Sequence, residues 1–238
     1  WLPILKRVSR NENGYPIGYF FGYKAIGVFQ TQEEIDSYIS PATGKPIQPN
    51  AAPGDTKFED LNGDGVISDD NEDRTMIGKP NPDWMVGLTV AADWNGFDLS
   101  AFFQGSFGAD VFDALRRYEL AAVNYTSDAL ERWTGPGTSN SMPRIVLGDT
   151  PKNFRPSTLL VHDASFLRLR NLQVGYTLPA QLTRKAYIQR LRFYASFDNL
   201  LTITGYKGMD PEIGSTMGID KGVYPQARVY TFGLNLTF

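Results

Sequence analysis

The chain has 238 residues, 42% hydrophobic and 13% aromatic, with a formal net charge of −3 and no cysteine. So many aromatics at so small a net charge exclude a chain disordered throughout. The mildly acidic balance argues against a nucleic-acid partner, which needs a basic patch, and the lack of cysteine excludes disulfides, thiolate metal sites and cysteine nucleophiles.

No run of about 18 apolar residues exists, so no transmembrane helix is expected. A membrane barrel is not excluded by that, because its strands hide their signal in alternation. The chain begins at Trp1 without a leader pattern and is expected to be the carboxy-terminal piece of something longer.

Gly18 to Gln30, aromatic and punctuated by glycine, predicts a strand with bulges. Glu33, Glu34, Ile35 and Tyr38 predict a short helix, followed by a proline-rich irregular loop that ends in an acidic knot, Asp60 to Asp73. Trp84 to Trp94 is the clearest strand. Trp84, Val86, Leu88, Val90, Ala92 and Trp94 share one face, and Met85, Gly87, Thr89, Ala91 and Asp93 the other. Its two tryptophans lie about 33 Å apart at roughly 3.3 Å per residue. Tilted by about 40°, that spacing fits a bilayer with an aromatic girdle at each interface.

Asn95-Gly96 predicts a two-residue hairpin turn. Phe97, Leu99, Ala101, Phe103, Gly105 and Phe107 then line up opposite Asp98, Ser100, Gln104 and Ser106, with Phe102 the exception on the polar face. Val111 to Val123 and Asp128 to Trp133 read as short helices inside a second polar connection. Phe166 to Leu178 reads as a strand whose apolar row, Leu172, Val174, Tyr176 and Leu178, is broken at its start by Arg168 and Arg170. A compact turn follows from Pro179 to Gln189. Leu191, Phe193, Ala195 and Phe197 then oppose Arg192, Tyr194, Ser196 and Asp198. After a glycine-rich loop the chain ends on a strand with Tyr230, Phe232, Leu234, Leu236 and Phe238 on one face and Val229, Thr231, Gly233, Asn235 and Thr237 on the other.

The strands are joined by long connections at 31–82, 108–163 and 202–226, and by short turns at 95–96 and 179–189. In a meander this puts every long loop at one end and every short turn, with the carboxy-terminus, at the other. Outer-membrane barrels show this asymmetry, with short periplasmic turns and long extracellular loops. Six such strands cannot close, since the smallest membrane barrels have about eight. The rest of the barrel is expected to precede Trp1.

Phe58 to Ile67, then Asp73 to Pro82, resembles the carboxy-terminal signature of the SusC/RagA family of TonB-dependent outer-membrane transporters of Bacteroidota. The resemblance continues through Gly96 to Gly105, Leu167 to Tyr176, Phe197 to Leu200, and the glycine-aromatic elements between Gly18 and Gln30. It implies an all-β antiparallel fold, with residues 1–238 forming the last part of a plugged barrel of about 22 strands. It also implies import of a glycan or oligopeptide driven by TonB through an amino-terminal plug that lies outside this chain. The implied partner is a SusD-like surface lipoprotein that lids the barrel, and the implied mechanism is binding and gating rather than catalysis. The polar wall would come from Thr89, Asp98, Gln104, Asn171, Gln173, Asp198 and Asn235. The rival is a secreted, calcium-dependent, carbohydrate-binding β-sandwich that buries the same apolar rows.

Asp60, Asn62, Asp64 and Gly65 match the opening of a calcium loop, with the Val66 carbonyl in the seventh position. Position 12 is Asn71 rather than a bidentate glutamate, so Asp70 or Asp73 would have to complete a calcium site. The plain alternative is a metal-free loop of Asx turns. His162, the only histidine, has Asp163 beside it but no nucleophile motif, and reads as a polar loop residue. Trp133, Tyr118, Tyr125, Tyr206 and Tyr224 lie in the long loops, placed either to stack on a ligand or to pack on the loops themselves. Arg168, Arg170 and Arg192 are expected to face the lumen and meet carboxylates such as Asp198. Trp84 and Trp94 read as girdle anchors.

Overall fold

A computed structural model of the chain describes residues 8–115, 124–212 and 217–238. The elements in chain order are β1 (Ser9–Arg10), β2 (Tyr19–Tyr23), β3 (Ala25–Val28), α1 (Gln32–Ser37), β4 (Thr56–Phe58), β5 (Arg74–Gly78), β6 (Trp84–Trp94), β7 (Phe97–Phe107), β8 (Asp110–Asp113), β9 (Val161–Asp163), β10 (Phe166–Thr177), α2 (Ala180–Thr183), β11 (Arg190–Thr204), β12 (Ile219–Asp220) and β13 (Val229–Thr237). They fall into two compact units. One holds residues 1–81, 110–162 and 213–222, and the other 82–109, 163–212 and 223–238.

The second unit is one antiparallel sheet in the order β13-β11-β10-β7-β6. Its hairpin turn at Asn95-Gly96 has φ of 47° and 87°. Positive φ at both central residues is what a type I′ turn requires, and that turn matches the right-handed twist of the strands it joins. Register aligns the apolar rows across all five strands. Leu88 faces Phe103, Phe103 faces Leu169, Leu172 faces Phe197, and Phe197 faces Tyr230. These rows are not packed against a second layer: Trp84 is 72% exposed, Leu88 55% and Phe232 75%. A sandwich would have buried them. The connections from β7 to β10 and from β11 to β13 leave the sheet at one end, and the turns from β6 to β7 and from β10 to β11 lie at the other.

β10 corrects the reading of Arg168 and Arg170 as a break in the apolar row. Its register shifts between Leu169 and Asn171 against both neighbours. One extra residue flips the phase of a strand. Leu167 and Leu169 therefore share a face with Leu172 and Val174, while Arg168 sits opposite Gln104 and Thr202 on the polar face. The row continues unbroken, and the bulge keeps the arginines off it.

Two further expectations are corrected. The strand character between Gly18 and Gln30 does not add a sixth strand to the sheet. It splits into β2, which pairs with β1 and β5, and β3, which pairs with β4. Every residue of β2 is buried, so its aromatics on both faces serve a core rather than one exposed row. Val111 to Asp113 is strand, not helix. β8 lies between β12 and β9, with Val111 and Phe112 buried, so tertiary pairing overrides the local signal. The remainder of the expected helix, 116–123, lies outside the described residues, as does Tyr118.

The long connections are folded rather than irregular. Val8, Phe20, Phe112, Leu160 and Ile219 form one buried cluster with Ile77, Phe154 and Val161 packed on it, so residues from all three connections share a core. Each such fully buried side chain contributes about 1.5–3 kcal/mol. α1 is where Glu33, Glu34 and Ile35 predict it, and Thr31 caps it. Thr31 Oγ1 accepts the Glu34 amide at 3.3 Å, and Glu33 and Glu34 lie in the positive first turn. Buried Asp55 ties the first connection to the second: it accepts Arg144 Nε at 2.6 Å and Asn153 Nδ2 at 3.1 Å.

Candidate functional site

The polar face of the five-stranded sheet concentrates the charged chemistry of its unit. At the end near the long connections, Arg168 is only 2% exposed. Its Nε donates to Thr202 Oγ1 at 2.9 Å and its Nη1 to Glu212 Oε2 at 3.0 Å, while Nη2 bonds Asp210. Arg170 donates to Gln104 at 2.6 Å, to Asn199 at 3.3 Å and to Glu212. Asp210 also accepts the amides of Glu212 and Gln226, each at 2.9 Å. Two arginines two apart on a bulged strand thus grip two carboxylates two apart across Pro211. The grip holds the start and end of the third connection on the polar face.

A buried guanidinium is tolerable only when its donors are matched, and here the match includes two carboxylates. Burial works to raise the Asp210 carboxyl, but the Gln226 and Glu212 amides and the Arg168 guanidinium outweigh it and hold the group below the usual carboxylate range. A lowered carboxyl stabilises the folded form above its unfolded value, about 4, and loses that contribution as pH falls through the lowered one. The segment 205–212 is therefore predicted to stay docked at neutral pH and to come free on strong acidification. Limited proteolysis of the purified protein against pH reads this directly.

At the short-turn end, Arg192 forms a two-pronged pair with Asp98, its Nε at 2.9 Å, reaching across β10. Gly175 lies beneath this pair, and a β-carbon there would collide with both the Arg192 and Asp98 side chains. Gly175→Val is predicted to break the pair and lower the thermal midpoint, by an amount that Gly87→Val on the same face does not reproduce, since a β-carbon at Gly87 meets only Phe102, at 3.6 Å. Asp98, Gln104, Asn171, Gln173 and Asp198 are thus placed together on the face expected of them. The expected partnership of an arginine with Asp198 is corrected: Asp198 accepts Asn171 Nδ2 at 2.7 Å, and the arginines take Asp98, Asp210 and Glu212 instead. Asp210 and Glu212 went unread in a loop that showed mainly glycine. The available signal was the matching two-residue spacing of opposite charges.

In the acidic loop, Asp60 accepts the amides of Gly63 and Gly65, each at 2.8 Å. Asn62 accepts the Asp64 amide at 3.0 Å, and Asp64 accepts the Val66 amide at 2.8 Å. Asp73 is fully buried and accepts the Leu61 and Ser68 amides at 3.2 and 2.9 Å. Asp70 accepts the Glu72 amide at 3.0 Å. These are the bonds of an Asx-turn loop. Among the described residues no three acidic, histidine or cysteine side chains gather as a metal-holding group.

His162 lies 3.8 Å from Asp113, not against Asp163, which instead accepts the Ser165 amide at 2.8 Å. Trp133 is half-buried with Nε1 donating to Gln30 at 3.1 Å, and Tyr206 is buried. Both pack on the fold. Tyr125 and Tyr224 present exposed rings.

No family model matches the chain. TonB-dependent receptor P3 of Formosa agariphila is 34% identical over 95% of this chain and 23% of its own length. TonB-dependent receptor SusC of Bacteroides thetaiotaomicron is 30% identical over 98% of this chain and 21% of its own. Among solved structures, one described as the RagAB peptide transporter superposes with a TM-score of 0.73 at 28% identity, over all of this chain and 24% of that one. The RagAB peptide importer in its open-open state gives 0.72 at 26% identity. The chain spans about a quarter of the length of these relatives. In sequence and in fold, the resemblance to SusC/RagA-family TonB-dependent receptors read from the motifs is borne out over nearly the whole chain.

Proposed function

We propose that the chain is the carboxy-terminal part of an outer-membrane importer of nutrients, driven through TonB and working with a SusD-like surface lipoprotein. The observation that carries the proposal is the five-stranded meander with an uncovered apolar face and a polar face of paired charges. In this reading the apolar face meets lipid, and the polar face lines a hydrated lumen within a barrel of about 22 strands. The folded connections are extracellular, and the carboxy-terminus is periplasmic. The chain contributes wall and loops, not bond chemistry.

The cargo is an oligopeptide or a glycan. The two similar RagAB structures are described as those of a peptide importer and a peptide transporter, which supports the first. Uptake by cells carrying or lacking the full transporter decides it. Uptake of labelled oligopeptides that requires the transporter and TonB supports the reading, and equal uptake without it removes the reading. Co-purification of a surface lipoprotein with the full transporter tests the partner.

A hard cation at the acidic loop is a second proposal, with Asp60, Asn62, Asp64, the Val66 carbonyl and Asp70 or Asp73 as ligands. Its support is the gathering of the first three side chains on one tight exposed loop. Their bonds to the loop's own amides already explain that gathering. Calorimetry with calcium separates the two: heat at millimolar calcium supports the ion, and none leaves the Asx-turn loop.

A further inference from the structure

The short turn between β10 and β11 has features the wall does not need. It is well fixed. Thr183 is buried, the Tyr187 amide donates to Arg184 O at 3.1 Å, the Ile188 amide to Thr183 O at 3.2 Å, and the Gln189 amide to Thr237 O at 2.8 Å. Tyr187 holds φ of +59°, a left-handed conformation that bulky residues rarely adopt. On this fixed frame Tyr187 is 91% exposed and Leu182 60% exposed. Between them lie Arg184 and Lys185, both exposed. Residues 179–192 include four basic side chains and no acidic one. Of the four, Arg192 is taken by Asp98, a carboxylate that also feels the charge of Arg190. Among the described residues Arg184 and Lys185 carry no side-chain hydrogen bond or ion pair.

The turn continues the apolar face. The row running through Tyr176, where Phe97 packs with ring centroids 4.4 Å apart, passes to Leu178, whose amide bonds Leu191 O, and the turn begins there. Exposed leucine and tyrosine beside unpaired cations, one step beyond an aromatic row, is the pattern of a protein surface at the bilayer interface. Cations there meet lipid phosphate, and the ring and leucine enter the acyl boundary.

We propose that the turn 179–189 seats the phosphate of an anionic phospholipid in the leaflet nearest the short turns, with Arg184 and Lys185 as its two cations and Leu182 and Tyr187 as its apolar flank. This rests on the reading of the sheet as membrane-spanning. The test uses the full transporter in nanodiscs of phosphatidylcholine with increasing phosphatidylglycerol, with the bound anionic lipid read by native mass spectrometry. Arg184→Gln with Lys185→Gln is expected to weaken phosphatidylglycerol retention roughly tenfold to thirtyfold. The charge-matched pair Lys207→Gln with Lys221→Gln, in the third long connection, is expected to leave it unchanged. Equal retention by the wild type and the first variant overturns the proposal, and so does an equal loss in both variants. A wild-type protein that stays soluble without detergent and takes up no lipid sinks the membrane reading itself, a different result from either.

Discussion

Replacing Arg168 by leucine is expected to free the third connection from the sheet and to destabilise the folded protein by about 3–5 kcal/mol, the cost of leaving buried opposite charges unmatched. Three bonds end at once: those to Thr202, Asp210 and Glu212. Asp210 is 8% exposed and would keep its charge in a site that has lost its cation. Arg168→Lys restores the charge but not the fork, so it recovers only part of the loss. Arg192→Leu removes a pair from a less buried position, with side-chain exposures of 12% and 29%, and is expected to cost less. Thermal unfolding of the detergent-solubilised transporter gives the order, and proteolysis within 205–226 reports the undocking. Indistinguishable midpoints for the Arg168 and Arg192 variants would mean that the buried cluster holds nothing in place.

The second large effect lies on the opposite face. Leu88→Arg places a charge in the middle of the apolar row of β6, between Val86 and Val90. On a lipid-facing strand such a substitution costs about 2–4 kcal/mol at the bilayer midplane. Thr89→Arg, one residue on, enters the polar face beside Phe102 and is expected to cost well under half of that. The contrast between adjacent positions is the informative quantity, because a general intolerance of bulk would affect both. Folding yield into lipid vesicles, against a urea series, measures it.

Strand periodicity carried most of the sheet. Five strands of alternating sequence became five paired strands, because a period of two directly reports which side chains share a face. The Asn95-Gly96 turn was equally legible, since its geometry is set by a few neighbouring residues. What alternation could not show was the bulge at Arg170. A single added residue leaves composition unchanged while reversing the phase, so Arg168 looked like an intruder in a greasy row. Nor could it show that Phe20 and Phe112, nearly a hundred residues apart, pack at a centroid distance of 6.0 Å, or that Val111 belongs to a strand whose partner, Ile219–Asp220, lies in the third connection. Those are long-range pairings with no local trace. The arginine cluster was half legible: the basic partners stood out on a strand, while Asp210 and Glu212 were hidden in a loop that seemed to offer only turns.

The central claim is that one face of the five-stranded sheet looks into hydrocarbon and the other onto water. This chain has no cysteine of its own, so single cysteines can be placed along three of its strands in the full transporter, cleared of any other cysteine, in outer-membrane vesicles. A membrane-impermeant maleimide is predicted to label Thr89→Cys, Ser100→Cys and Ser196→Cys, and to spare Leu88→Cys, Leu99→Cys and Ala195→Cys until the membrane is dissolved. Labelling of the second set in intact membranes, or labelling that does not alternate along the strands, would contradict it.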